Sequence, residues 1–178
     1  MLHAVADDSL LRRLVAAAAE GDDRALGRLV RETQPAMWRL CSLLGSAGEV
    51  EDLVQDTYLR AMGSLAGFRG EAGVLSWLST IARRTCADSV RRRERHRRVV
   101  ARIRAERPAS PAEPGAATAA LLDALPAERR DAFVLTQLMG LPYEEAAETL
   151  GCAVGTIRSR VSRARAELSE LVRRAEAG

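Results

Sequence analysis

Residues 141–168 read LPYEEAAETLGCAVGTIRSRVSRARAEL. Two apolar-periodic runs meet here at a single glycine, a short one from Pro142 to Leu150 and a longer one from Val154 onward. Pro142 stands where a first-turn proline is tolerated, because its missing N–H would have no partner inside the helix. Gly151 stands where helices commonly end, since glycine adopts the left-handed backbone that closes them. The spacing predicts a short helix, a tight turn and a longer helix, which is the helix-turn-helix pattern.

Turning the longer helix by about 100° per residue separates its side chains. Val154, Ile157, Val161, Ala164, Leu168 and Val172 fall on one side, predicted to face a core. Thr156, Ser159, Ser162, Arg163 and Ala166 fall opposite, flanked by Arg158 and Arg160, while Arg165 lies nearer the core edge. Arginine can fork onto guanine or phosphate, and small hydroxylated residues let a helix sit close to base edges. The first two turns carry no acid, so the positive end of the helix dipole gains further positive charge, which is unfavourable unless an anion binds. Ala153 supplies no side-chain cap, so the helix start depends on packing or on a phosphate. The pattern favours a DNA-reading helix over a solvated basic face.

Upstream, RPASPAEPGAAT places Pro108, Pro111, Pro114 and Gly115 close together. Proline fixes φ and removes a donor, so the stretch reads as a flexible linker over 99–117. It separates an N-terminal part, 8–98, from a C-terminal part, 118–175. The C-terminal part is predicted to form helices over Ala117–Ala124, Ala127–Met139 and Pro142–Leu150 before the DNA-reading helix. The N-terminal part reads as helices over Leu10–Ala19, Arg24–Leu44 (with Pro35 inside), Val50–Leu65 and Leu75 to about Arg95. Short breaks between them favour an antiparallel bundle. The predicted fold is all-α: two small helical domains joined by a proline-rich linker.

Two N-terminal helices are informative. In EVEDLVQDTYLRAM, residues 49–62, Val50, Leu53, Val54, Tyr58 and Ala61 make the buried stripe. Asp52, Gln55, Asp56 and Leu59 share the outward face. An exposed leucine among acids is consistent with a basic protein partner around an apolar socket, but from the residues alone an ordinary surface helix with one stray leucine is the favoured reading. In LSWLSTIARRTCADSVRRRERHRR, Leu75, Leu78, Ile81, Ala82, Thr85 and Ser89 can face the bundle. Arg83, Arg84, Asp88, Arg91 and Arg92 cannot all be buried. Trp77 reads as a core anchor, and Phe68 and Arg69 lie in the loop before it, where an unpaired base could stack and its backbone be held.

The totals agree and exclude several classes. The net charge of +3 hides a block from Arg83 to Arg107 with eleven arginines against Asp88, Glu94 and Glu106. A local basic block suggests a polyanion partner more strongly than the average does. Cys41, Cys86 and Cys152 are far apart and lie in apolar-periodic runs, which predicts buried free thiols in a reducing cytoplasm. His3 and His96 are the only histidines, so no metal site or cofactor site is expected. No apolar run approaches the ~18 residues of a membrane span, and no signal peptide is read at the N-terminus.

These motifs resemble the extracytoplasmic-function (ECF) sigma factors of bacterial RNA polymerase. EDLVQDTYLRAM and WLSTIARRTCADSVRRR are similar to region 2 of that family, and LPYEEAAETLGCAVGTIRSRVSRAR to region 4. The resemblance implies that Asp52, Gln55, Asp56 and Leu59 dock on the clamp of the polymerase's largest subunit. It implies that Phe68, Arg69, Arg83, Arg84, Asp88, Arg91 and Arg92 read the −10 element and hold one strand as the duplex opens. Thr156, Arg158, Ser159, Ser162 and Arg163 would enter the major groove of the −35 element. Core polymerase and promoter DNA are the implied partners, and an anti-sigma factor is a further partner the resemblance raises. Val74 departs from the family pattern, standing where similar proteins often have an aromatic residue, and Ala153 stands where many have Ser or Pro.

Read from the residues alone, the motifs also fit a stand-alone helix-turn-helix regulator that dimerises on a two-fold operator. A promoter factor instead needs two unlike half-elements. An enzyme is not expected: Asp52 and Asp56 share a helix face, but no third ligand converges with them.

Overall fold

The computed structural model describes residues 7–46, 48–101 and 116–176. Residues 102–115, most of the predicted linker, lie outside that range. Among the described residues every regular element is helical: α1 (Asp8–Ala19), α2 (Asp23–Leu44), α3 (Val50–Met62), α4 (Val74–Ala101), α5 (Ala116–Asp123), α6 (Ala127–Phe133), α7 (Tyr143–Leu150) and α8 (Val154–Glu176). The predicted all-α class holds.

Local chemistry sets the helix starts. The Asp7 carboxylate accepts from Ser9 N at 3.0 Å and opens α1. Asp22 does the same for α2, accepting from Arg24 N at 2.8 Å and Ala25 N at 3.1 Å. Each carboxylate satisfies orphan N–H groups and sits at the positive end of a helix dipole. Pro35 leaves α2 continuous rather than dividing it. Both Pro35 and Arg31, whose carbonyl loses the missing N–H, are exposed, so water can take the lost bond.

In the N-terminal bundle α2 packs on α1, α3 and α4, and α3 packs on α4. Leu11, Leu29, Met37, Leu40, Leu53, Val74, Leu78 and Ala82 fill its centre. Tyr58 crosses from α3 to α2, where its hydroxyl lies 2.8 Å from Thr33 Oγ1. Burial pushes the Tyr58 phenol up to about 12, with the Thr33 bond pulling the other way. Cys41 and Cys86 are free and buried, and Cys152 is half-buried. The neighbouring Cys41 and burial push the Cys86 thiol far up, which keeps it protonated and unreactive.

In the C-terminal bundle α8 packs on α6 and α7. The predicted helix over Ala127–Met139 is not uniform. After Phe133 the chain widens into a π turn, Val134–Leu138, closed by Met139 N donating to Val134 O at 2.9 Å. Ala132, Val134 and Leu135 are all fully buried where this helix passes into the wider turn. The two bundles also touch: α4 packs on α7, and α2 packs on α5 and on the π turn.

Candidate nucleic-acid and protein interfaces

The helix-turn-helix forms as its spacing predicts. Gly151 has φ 62° and ψ 41°, and Cys152 N donates to Ala147 O at 3.0 Å, closing α7. An L-residue in that conformation costs on the order of 1 kcal/mol. Ala153 gives α8 no side-chain cap, but its carbonyl accepts from Thr156 N and Ile157 N. Ile157, Val161 and Ala164 are buried against α6 and α7, whereas Leu168 is half-buried and Val172 is 40% exposed. Val172 therefore leaves the predicted core stripe, because α8 outruns the helices it packs on.

On the other side Arg158, Ser159, Ser162 and Arg163 are exposed and Thr156 is half-exposed. Ser159 Oγ donates to Thr156 O at 2.9 Å, which keeps that surface flat. The remaining arginines of the stretch are engaged. Arg160 pairs with Glu128 at the start of α6, and Arg165 donates to Gln137 Oε1 in the π turn. Glu128 is the acid that the opening turns of α8 lack, and a helical wheel cannot see it. Arg158 and Arg163 make no ion pair among the described residues, so two guanidinium groups stay available beside the serines.

On α3, Asp52, Gln55 and Leu59 are exposed and Asp56 is half-exposed, and Leu59 is 55% accessible. Asp52, Gln55 and Asp56, but not Leu59, edge an open groove of about 870 Å³ between α3 and the C-terminal half of α4, whose far wall is Arg92, Arg93 and Arg95. Glu49 ties the walls together, accepting from Ser89 Oγ at 2.7 Å and pairing with Arg93 at 2.8 Å.

The residues predicted for the −10 element do not form one surface. Arg92 lies in the α3–α4 groove, across α4 from Arg83. Arg84 and Arg91 are exposed, and Asp88 pairs with Arg91 at 2.7 Å and Arg60 at 3.0 Å. Those two arginines, Arg91 first, hold the Asp88 carboxyl below the usual carboxylate range. Arg83 turns toward the C-terminal bundle and meets Asp131 of α6 at 3.3 Å. Burial pushes the Asp131 carboxyl up, and Arg83 pulls it partly back. Beside this pair, Thr149 of α7 lies 3.4 Å from Ser76 Oγ and 3.2 Å from Thr80 Oγ1.

Phe68 packs at a tilt against the half-buried Trp77, with ring centroids 5.2 Å apart and planes at 53°, so Trp77 anchors the Phe68 ring against the edge of the core. Arg69 is exposed next to it. A cavity of about 250 Å³ opens between this loop and α4, and Glu148 and Thr149 of α7 close its far side. The loop is held from α1. Asp8 Oδ1 accepts from Val74 N at 2.8 Å, and Arg12 donates to the carbonyls of Gly70 and Ala72. Sequence reasoning missed Asp8 and Arg12, because an acid and a base one turn apart read as an ordinary helix-surface pair.

No cluster of metal ligands occurs among the described residues, and no described helix is long and apolar enough to cross a membrane. A basic helix-turn-helix behind a helical bundle that carries an acidic, leucine-bearing face and an arginine-rich helix defines a two-part DNA-binding protein with a protein partner. The descriptions "Sigma-70 region 2" and "Sigma-70, region 4" match residues 29–96 and 116–168. The chain is 38% identical over 171 residues to the ECF RNA polymerase sigma factor SigC of Mycobacterium tuberculosis, spanning 93% of this chain and 92% of that one. It is 39% identical over 138 residues to EcfG of Rhodopseudomonas palustris, spanning 74% and 75%. Among solved structures it resembles CnrH, in complex with the cytosolic domain of CnrY, with a TM-score of 0.72 and 32% identity over 92% of this chain and 97% of that one. It also resembles RpoE, in complex with the anti-sigma factor NepR from Bartonella quintana, with a TM-score of 0.70 and 34% identity over 83% and 96%.

The chain belongs to the ECF RNA polymerase sigma factors. It binds core polymerase and directs promoter recognition and the start of transcription.

Proposed function

We propose that three sets of residues divide this work. The N-terminal domain, 8–98, docks on the clamp of the polymerase's largest subunit through Asp52, Gln55, Asp56 and Leu59. The same domain takes the −10 element with Phe68, Arg69, Arg83, Arg84, Asp88, Arg91 and Arg92. The C-terminal domain, 118–175, reads the −35 element with Thr156, Arg158, Ser159, Ser162 and Arg163, and the linker over 99–117 lets both engage one promoter. The protein works in the cytoplasm, where its polymerase is.

One observation carries the reading: the two arginines of α8 that make no ion pair among the described residues, Arg158 and Arg163, flank the exposed Ser159 and Ser162 directly opposite buried Ile157 and Val161. The exposed Leu59 among acids supports the docking face. The similarity to sigma factors caught with anti-sigma partners supports an anti-sigma factor as a regulator of this chain too.

The test is reconstituted transcription with core polymerase on a library of genomic fragments. Transcripts are expected to start downstream of two unlike, spaced elements. Starts that depend on a single two-fold site, or none at all, overturn the reading.

A further inference from the structure

The loop between the short 3₁₀ turn at Leu65–Gly67 and α4 has little of its own to hold it. It contains Gly70 and Gly73, and α4 begins at Val74 with only a glycine before it to act as cap. A bare glycine supplies no side-chain acceptor for the first N–H groups of the helix. That acceptor comes from 66 residues away: Asp8 Oδ1 takes the Val74 N–H at 2.8 Å. The other oxygen, Oδ2, takes Arg12 Nε at 2.5 Å, one turn along α1.

Arg12 is thereby aimed at the loop. Its two terminal nitrogens donate to the carbonyls of Gly70 and Ala72, the second at 3.0 Å, and its guanidinium carbon lies 6.0 Å from the centre of the Phe68 ring. A planar fork gripping alternate carbonyls fixes a loop backbone in a way that a single point charge cannot. Gly70 completes the fit. It has φ +71°, and a Cβ there would come within 2.8 Å of Arg12 Nη1. The grip leaves Arg69 and Glu71 exposed and Phe68 against Trp77 at the edge of the small cavity.

We propose that Asp8 and Arg12 of α1 are positioning residues for promoter opening, clamping the Phe68–Gly73 loop in the shape that receives an unpaired −10 base. Both lie N-terminal to the residues matched to sigma-70 region 2, which begin at residue 29. The inference rests on assigning this loop to −10 DNA. Asp8 and Arg12 touch no DNA themselves. They act by removing the freedom that the loop would otherwise lose on binding.

The experiment uses holoenzyme assembled from core polymerase and full-length chain, on a promoter that the wild-type chain opens. Arg12→Met keeps the aliphatic stem and loses the fork, Arg12→Lys keeps only a point charge, and Asp8→Ala removes the cap. Three quantities are read: affinity for core polymerase, affinity for the closed promoter duplex, and permanganate reactivity of unpaired thymines. Arg12→Met and Asp8→Ala are each expected to leave the two affinities within about twofold and to lower the opened fraction about tenfold. Arg12→Lys is expected in between, and the double variant no worse than the worse single one, because the two residues act as a unit.

Arg69→Ala is run in parallel as the control on the loop itself. If Arg69→Ala loses opening and Arg12→Met keeps it, the clamp is wrong while the loop assignment stands. If Arg69→Ala opens normally, the loop assignment fails and takes the clamp with it. Equal losses in core affinity and opening for Arg12→Met and Asp8→Ala would reduce the pair to general fold support and overturn the proposal.

Discussion

Arg83 of α4 and Asp131 of α6 meet at 3.3 Å across the contact between the two bundles, with side chains only 24% and 16% exposed. Arg83 Nε is buried and has no partner among the described residues, so the carboxylate satisfies the guanidinium only in part. A DNA phosphate offers the same guanidinium a doubly charged-assisted fork. If Arg83 takes −10 DNA as proposed, Asp131 and promoter DNA compete for it. Asp131→Asn is expected to raise the affinity of the free protein for a single-stranded −10 probe several-fold and to leave −35 duplex binding unchanged. An unchanged −10 affinity in a gel-shift titration would remove Arg83 from the DNA-binding set.

The same pair gives the bundle contact a pH dependence of fixed sign. Asp131 faces Arg83 on α4, Arg130 on α6 and Arg160 on α8, yet burial outweighs them and raises its pKa. A raised carboxyl binds its proton more readily when packed than when the bundles part. The contact is therefore strongest below the ordinary carboxylate range and weakens as pH rises through the raised value. Limited proteolysis of the bundle contact between mildly acidic and neutral pH should show this slope, and Asp131→Asn should flatten it.

Leu59 is 55% exposed, so its loss should hardly disturb the fold. Leu59→Ala is expected to change stability by no more than about 0.5 kcal/mol. If it fills a socket on the polymerase, the same substitution weakens core binding about tenfold or more. Urea unfolding and a core-binding titration on the one variant separate these effects.

Two arginines of α8 should behave differently despite lying three residues apart. Arg163 is exposed on the serine face, and Arg163→Ala should cost ~1–3 kcal/mol of −35 affinity and relax preference at one base position. Arg160 pairs with Glu128, and Arg160→Ala should leave base preference intact. Selection from a randomised −35 pool reads both outcomes.

Tyr58 sets an alkaline limit. Its pKa is about 12 in the folded chain against the ordinary 10, so the folded state holds the phenolic proton more tightly. That contribution is complete below pH 10 and is lost as pH rises toward 12, about 2–3 kcal/mol in all. Tyr58→Phe should remove this slope at a cost of ~1 kcal/mol at neutral pH, from the bond lost to Thr33. Urea midpoints across the alkaline range test both parts.

Periodicity revealed the helices because each one buries a single stripe, and Gly151 and Pro142 marked the turn because their backbones allow little else. The same logic exposed Asp52, Gln55, Leu59, Arg158 and Arg163. It failed where a partner came from elsewhere in the chain. Nothing near Arg160 announces Glu128, and nothing near Val74 announces Asp8. Arg83 and Arg92 looked alike within one basic run, yet nine residues of helix put them on opposite sides of α4, one against Asp131 and the other in the groove with Asp52. The π turn was hidden because the residues Val134–Leu138 carry an ordinary helical composition.

The bond from Asp8 to Val74 also fixes an order in time. The chain grows from its N-terminus at about 5–20 residues per second, so Asp8 waits on the order of several seconds before Val74, 66 positions further on, is made. The pairs that tie α3 to α4, Arg60 to Asp88 and Arg93 to Glu49, use residues made later still. A newly made chain therefore has all of α3 synthesised before the bond from Asp8 to Val74 can form.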